Sequence, residues 1–169
     1  MLISIALLLA AATAEPDNRP EDVAAWLAAS ACPDFLTGEF PLAGNDELVG
    51  LGFTANPSPS QSARFGELQL VVAEFSNAGI LFGGSVDKIC TVTVTGPHAP
   101  KALPGFKAAK DEMGFAFEPY PDGNKSADGV EIETHVVKID ERTSLFTQVT
   151  QSTLNDQPTV HFQLYATVN

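Results

Sequence analysis

The chain has 169 residues, of which 44% are hydrophobic and 18% are charged, and 21 acids against 9 bases give a formal net charge of −12. This length suits a single domain, and the hydrophobic fraction with its 11 Phe excludes a disordered chain. The acidity disfavours nucleic acid as a partner, because phosphate contacts require clustered Lys and Arg.

The first residues predict a cleavable secretory signal. Residues 2–12 are almost wholly apolar, and residues 12–14 (Ala-Thr-Ala) are small, as a signal peptidase requires. The run is shorter than the roughly 20 residues that span a bilayer, so we expect no stable membrane insertion after cleavage. We predict a signal at 1–14, one domain at 15–169 and a periplasmic or secreted location. The alternative is a terminal helix on a cytosolic protein, because no Lys or Arg precedes the apolar run.

The two cysteines, Cys32 and Cys90, predict a disulfide, because bonds of this kind persist in exported proteins. A catalytic or redox thiol is the alternative, but the spacing is not that of a C-x-x-C motif. A two-cysteine metal site is not favoured, because no His lies within a few residues of either cysteine.

In chain order, the first predicted element is a helix that begins at Pro20, where the next two residues are acidic. It is expected to end before Pro33, because the residue preceding proline avoids the helical region. Asn45 is predicted to cap a short helix over residues 46–51. Residues 56–62, rich in Pro and Ser, are expected to form a loop.

Beyond this loop hydrophobic residues recur at every second position, as they do in a β-strand. Residues 68–82 predict a hairpin with its turn at 76–79. Residues 89–95 predict a strand that points Cys90 towards the core.

A second helix is predicted over residues 103–113, followed by a short strand at 115–117 and a loop. The remaining residues predict a three-stranded meander at 130–139, 145–153 and 159–168. We therefore expect an α+β fold: a single antiparallel twisted sheet of about five to six strands. The N-terminal and mid-chain helices are expected to pack on one face of this sheet.

Three side chains of the meander are candidate metal ligands. On strict alternation His135 shares a face with Glu133, and His161 lies on the polar face of the last strand. If the three strands pair in order, His135, His161 and Glu133 offer three ligands, the number that a catalytic zinc site uses. The middle strand separates the two histidine-bearing strands by about 10 Å, so the site needs a favourable register. The alternatives are solvated strand faces or a polar recognition surface.

The sequence contains no phosphate-binding glycine loop and no dense group of acid, base and nucleophile, so we predict no cofactor. It favours a non-catalytic binding or protein-interaction domain whose partner is a protein or a small molecule. The layout is similar to that of many small exported bacterial proteins, which implies no particular site. One alternative is a small metal-dependent or hydrolytic enzyme that uses His135, His161 and Glu133.

The uneven distribution of charge suggests the other alternative, a secreted inhibitor of a basic enzyme. Residues 1–50 contain eight acids and a single base, Arg19. An acidic surface accelerates association with a basic protein. The N-terminal segment is therefore the expected contact for a basic partner.

Overall fold

The computed structural model describes residues 19–168, so the predicted signal at 1–14 lies outside the described residues, as do residues 15–18 and 169. The helices are α1 (Pro20–Trp26), a π-helical turn (Leu27–Ala31), α2 (Cys32–Leu36), α3 (Asp46–Gly50), α4 (Ala99–Glu112) and a 3-10 turn (Pro121–Gly123). The strands are β1 (Ser58–Ser62), β2 (Gly66–Phe75), β3 (Ala78–Ser85), β4 (Ile89–Thr95), β5 (Glu118–Pro119), β6 (Lys125–Ala127), β7 (Val130–Lys138), β8 (Thr143–Leu154) and β9 (Gln157–Val168).

The strands form one antiparallel sheet in the order β1-β2-β3-β4-β9-β8-β7-β5, and β6 also pairs with β7. This confirms the α+β class and the antiparallel sheet. Within residues 19–168 the sheet has nine strands, so the expected five to six were too few. The hairpin, the strand at 89–95 and the three-stranded meander are all confirmed.

The strands that sequence reasoning missed are short and lie at the two edges of the sheet. Residues 58–62 were expected to lie in a loop, but they pair with β2 as β1. Proline is tolerated there because an edge strand leaves one side of its backbone unpaired. On the other edge, β5 and β6 pair with β7, whereas the short strand expected at 115–117 is absent from the described structure.

The N-terminal helix does not end before Pro33, as predicted, but continues to Leu36. The π-helical turn explains the difference: Cys32 donates its N–H to the Leu27 carbonyl, one residue further back than in an α-helix. This wider turn leaves room where the proline ring would otherwise clash with the carbonyl of Ala29, four residues before it.

The helices pack on the sheet face that carries Val92 and Phe162, and these side chains are fully buried. Phe106 of α4 lies on Phe162 with 5.6 Å between the ring centroids. None of the helices in residues 19–168 combines the length and the apolar character that crossing a membrane requires.

The predicted disulfide between Cys32 and Cys90 is present, with 5.4 Å between the two Cα atoms. Both cysteines are fully buried, and Cys90 points to the helix side of the sheet, as predicted. The bond therefore attaches the end of the N-terminal helix to β4 in the middle of the sheet.

We expect the double variant Cys32→Ala/Cys90→Ala to unfold at lower urea concentration. A disulfide that closes a loop of 58 residues restricts the unfolded chain, and its removal costs about 4 kcal/mol on the chain-entropy model. Thiol titration of the denatured, unreduced wild-type chain should find no free thiol. Two free thiols, or an unchanged urea midpoint in the double variant, would contradict this prediction.

Gly105 is expected to resist a substitution that normally stabilises helices. An added Cβ at Gly105 would lie 2.6 Å from the Cβ of Ala25, so α4 and α1 would have to move apart. We expect Gly105→Ala to lower the free energy of unfolding by about 1–3 kcal/mol. Gly50→Ala is the matched control, because nothing lies within 4 Å of its added Cβ. That control should be neutral or stabilising by up to about 1 kcal/mol, and equal urea midpoints for the two variants would refute the close contact.

Candidate functional site

Glu133 and His135 of β7 lie on the helix side of the sheet. The strand register pairs Glu133 with Val149, and Val149 with Phe162, whose ring contacts α4. Lys107 of α4 reaches this edge, and its Nζ lies 2.8 Å from Glu133 Oε2. Glu133 Oε1 lies 3.7 Å from His135 Nε2.

The charges around this pair determine how it titrates. The hydrogen bond from Lys107 lowers the pKa of Glu133, so the carboxylate is ionised at neutral pH. Burial and the nearby charge of Lys110 lower the pKa of His135. The imidazole is therefore neutral at pH 7, and its contact with Glu133 is not an ion pair.

His161 of β9 lies on the opposite, outer face of the sheet. It pairs with Thr93 of β4 and Thr150 of β8. Its Nδ1 lies 2.5 Å from Thr93 Oγ1, and the side chain is partly accessible. Desolvation in the centre of the sheet lowers the pKa of His161 to about 4. A base this weak accepts protons poorly at neutral pH, which argues against a role as general base.

The structure therefore corrects the predicted arrangement of His135, His161 and Glu133. Glu133 and His135 are close together, but His161 lies on the other face of the sheet, so the three do not form one ligand set. Within residues 19–168, no three His, Cys, Asp or Glu side chains lie close enough together to hold a metal ion. In the same range, His135 forms no side-chain hydrogen bond to a hydroxyl or thiol that would make a nucleophile–base pair.

The outer face also carries a cluster of aromatic side chains that the sequence patterns did not reveal. The rings of Phe146 and Tyr165 are stacked with 5.2 Å between centroids, and Tyr120 meets Phe146 edge-on. The Arg64 guanidinium lies 4.5 Å above the centre of the Tyr165 ring. Tyr165 is buried and Phe146 is half-buried in a small second core, whereas Tyr120 beside it is 37% exposed.

A more accessible feature is an apolar groove of about 370 Å³ on the helix side, where α2 meets the ends of α4, β8 and β9. We call it the α2 groove. Its apolar lining comes from α2, from the segments after α4 and β7, and from two sheet strands; the residues are Pro33, Leu36, Met113, Phe115, Ile139, Leu145, Leu164 and Ala166. Phe115 and Ile139 are 46% and 45% exposed. Side chains of this size and exposure in one concave patch are typical of binding surfaces.

The disulfide fixes α2, which forms the wall of the α2 groove, relative to the sheet strands that form its floor. Cys90 pairs across the sheet with Leu164, which lines the floor, and Cys32 directly precedes Pro33, which lines the wall. In addition, the N–H of Asp87 donates to the carbonyl of Leu36 at 3.0 Å. The groove is therefore held by a covalent bond and a backbone hydrogen bond.

Sequence reasoning missed the α2 groove, although one signal was present. Phe115 follows the expected end of the second helix, and Ile139 ends a strand just before a turn, so both are apolar residues at element ends. The ends of elements are usually polar, so two apolar residues there are a signal. That Phe115 and Ile139 meet in one groove depends on the order of the strands in the sheet, which no local sequence pattern contains.

Comparison of the chain with protein-family models, curated proteins and solved structures finds no match.

The depressed pKa of His161 predicts a loss of stability in mild acid. Its folded pKa of about 4 lies below the value of about 6.5 in an unfolded chain, so the unfolded state binds the proton more tightly between these values. The stabilisation of the folded state that comes from the neutral imidazole is fully present above pH 6.5 and is lost as the pH falls towards 4. We expect wild type to lose roughly 1–2 kcal/mol more than His161→Gln between pH 7 and pH 5 in urea titrations.

An NMR titration of the His161 ring tests the cause directly. The expected midpoint is near 4. A midpoint near 6.5, or equal pH dependence of unfolding in wild type and His161→Gln, would contradict the prediction.

Proposed function

We propose that this protein is an exported, non-catalytic interaction domain that binds a segment of a partner protein in the α2 groove. The observation that carries the proposal is the groove itself: an open apolar concavity whose mouth exposes Phe115 and Ile139. Its volume of about 370 Å³ lies within the range of roughly 300–1,000 Å³ of ligand sites.

Export to the periplasm or the cell exterior is part of the same proposal. The apolar residues 2–12 and the small residues 12–14 support a secretory signal. The Cys32–Cys90 disulfide is a second support, because such bonds persist in oxidising compartments.

The rival enzymatic proposal has less support. It requires His135, His161 and Glu133 to act together, and His161 lies on the opposite face from the other two. An inhibitor of a basic enzyme remains compatible with the proposal, since it would be one kind of protein-binding domain.

Selection from a peptide library displayed on phage tests the proposed function. We expect peptides selected on the wild-type protein to contain apolar residues. They should bind the double variant Phe115→Ser/Ile139→Ser about tenfold more weakly or worse, because two apolar contacts are removed. Both residues are exposed, so the variant should fold, and circular dichroism checks this.

The matched control is Val49→Ser/Leu154→Ser, which removes two exposed apolar side chains that do not line the groove. The control should bind the selected peptides as wild type does. Failure to enrich any peptide, or equal binding by the two double variants, would refute the proposed function.

A further inference from the structure

We propose that the segment received by the α2 groove is a cationic amphipathic stretch, with an apolar side chain in the groove and Lys or Arg at its rim. This inference rests on the proposed function and adds the chemical class of the partner.

Three carboxylates lie at the rim of the apolar groove. Asp34, Glu39 and Asp87 are exposed residues that line it, and among residues 19–168 no Lys, Arg or His contributes to the lining. Within residues 19–168, none of the three acids forms an ion pair. Lys88 and Lys138 are near in sequence but do not line the groove. The rim therefore presents negative charge without an internal counter-charge.

Backbone hydrogen bonds hold these acids in place around the groove. The carbonyl of Asp34 accepts the N–H of Glu39 at 2.8 Å, which folds the residues after α2 back onto the helix. The N–H of Asp87 donates to Leu36 at 3.0 Å, which attaches the β3–β4 turn to the same helix end. A partner would therefore meet charges on an ordered backbone, and this lowers the entropy cost of binding.

The charge of the whole chain favours the same class of partner. The net charge is −12, and residues 1–50 contain eight acids and one base. Anionic lipid surfaces, nucleic acids and a second copy of this chain would all be repelled. A basic segment would be attracted over a distance of about one Debye length, roughly 8–10 Å at moderate salt.

The two halves of the site would contribute in different ways. Burial of an apolar side chain against Leu164, Ala166 and Phe115 supplies affinity that depends little on salt. The rim acids select for basic flanking residues and accelerate association, and salt weakens this part.

Fluorescence anisotropy with three labelled synthetic peptides tests the inference. Each peptide has about 12 residues in an amphipathic helical pattern with Leu on one face. Its other face carries Lys, Gln or Glu. We expect the Lys peptide to bind about tenfold more tightly than the Gln peptide at low salt, with a smaller ratio near 0.15 M salt and the weakest binding for the Glu peptide.

Two triple variants show whether the rim is responsible. Asp34→Asn/Glu39→Gln/Asp87→Asn should lose most of the preference for the Lys peptide over the Gln peptide. The control variant Glu118→Gln/Glu131→Gln/Asp156→Asn changes the net charge by the same amount at exposed acids outside the groove, and it should keep the preference.

The outcomes separate this inference from the proposed function. Equal binding of the Lys and Gln peptides, both weakened by Phe115→Ser/Ile139→Ser, would overturn the cationic partner and leave the binding function standing. Equal loss of preference in both triple variants would also overturn the inference, because net charge would then explain it. Peptide binding that Phe115→Ser/Ile139→Ser does not weaken would refute both, as would self-association in place of peptide binding.

Discussion

The bond between Cys32 and Cys90 is the constraint on which the rest of the structure depends. It joins the end of a helix to a central strand, two elements 58 residues apart in sequence. Because the short α2 contributes few helical hydrogen bonds of its own, packing and the covalent link are what position it. The wider π-helical turn before Cys32 lets the helix pass Pro33 and continue over the sheet. The position of α2 as the wall of the α2 groove thus follows from the position of Cys32.

Much of the fold could be predicted because one face of each central strand is buried. In β4 and β9 the alternation of apolar and polar residues shows the core-facing side, and the meander has clear turns at both ends. Residues 58–62 and 125–127 lack that alternation because edge strands bury little. Their pairing is decided by long-range contacts, which local sequence patterns do not contain.

The candidate metal set shows why alternation within a strand does not settle which face is buried. Strict alternation put Glu133 and His135 on one face of β7, and that face was expected to be the polar one shared with His161. The structure reverses this assignment, because Lys107 of α4 pairs with Glu133 on the helix side. On the outer face Val136 lies opposite Phe146, which belongs to the small aromatic core. Neighbouring residues of a strand point to opposite faces. Assigning the wrong face to β7 therefore misplaces Glu133 and His135 together.

These placements change what the acidity of the chain means for function. On β7 the charge of Glu133 is compensated by Lys107 of α4, so this carboxylate makes a poor site for a cationic partner. At the α2 groove, by contrast, Asp34, Glu39 and Asp87 form no ion pair within residues 19–168, and they line the apolar concavity beside the disulfide-linked helix. An exposed apolar surface favours association, and like charges around the groove would oppose its burial against another copy of the same chain. The same two properties, an apolar floor and like charges around it, are the basis of the selectivity that we propose for a partner of opposite charge.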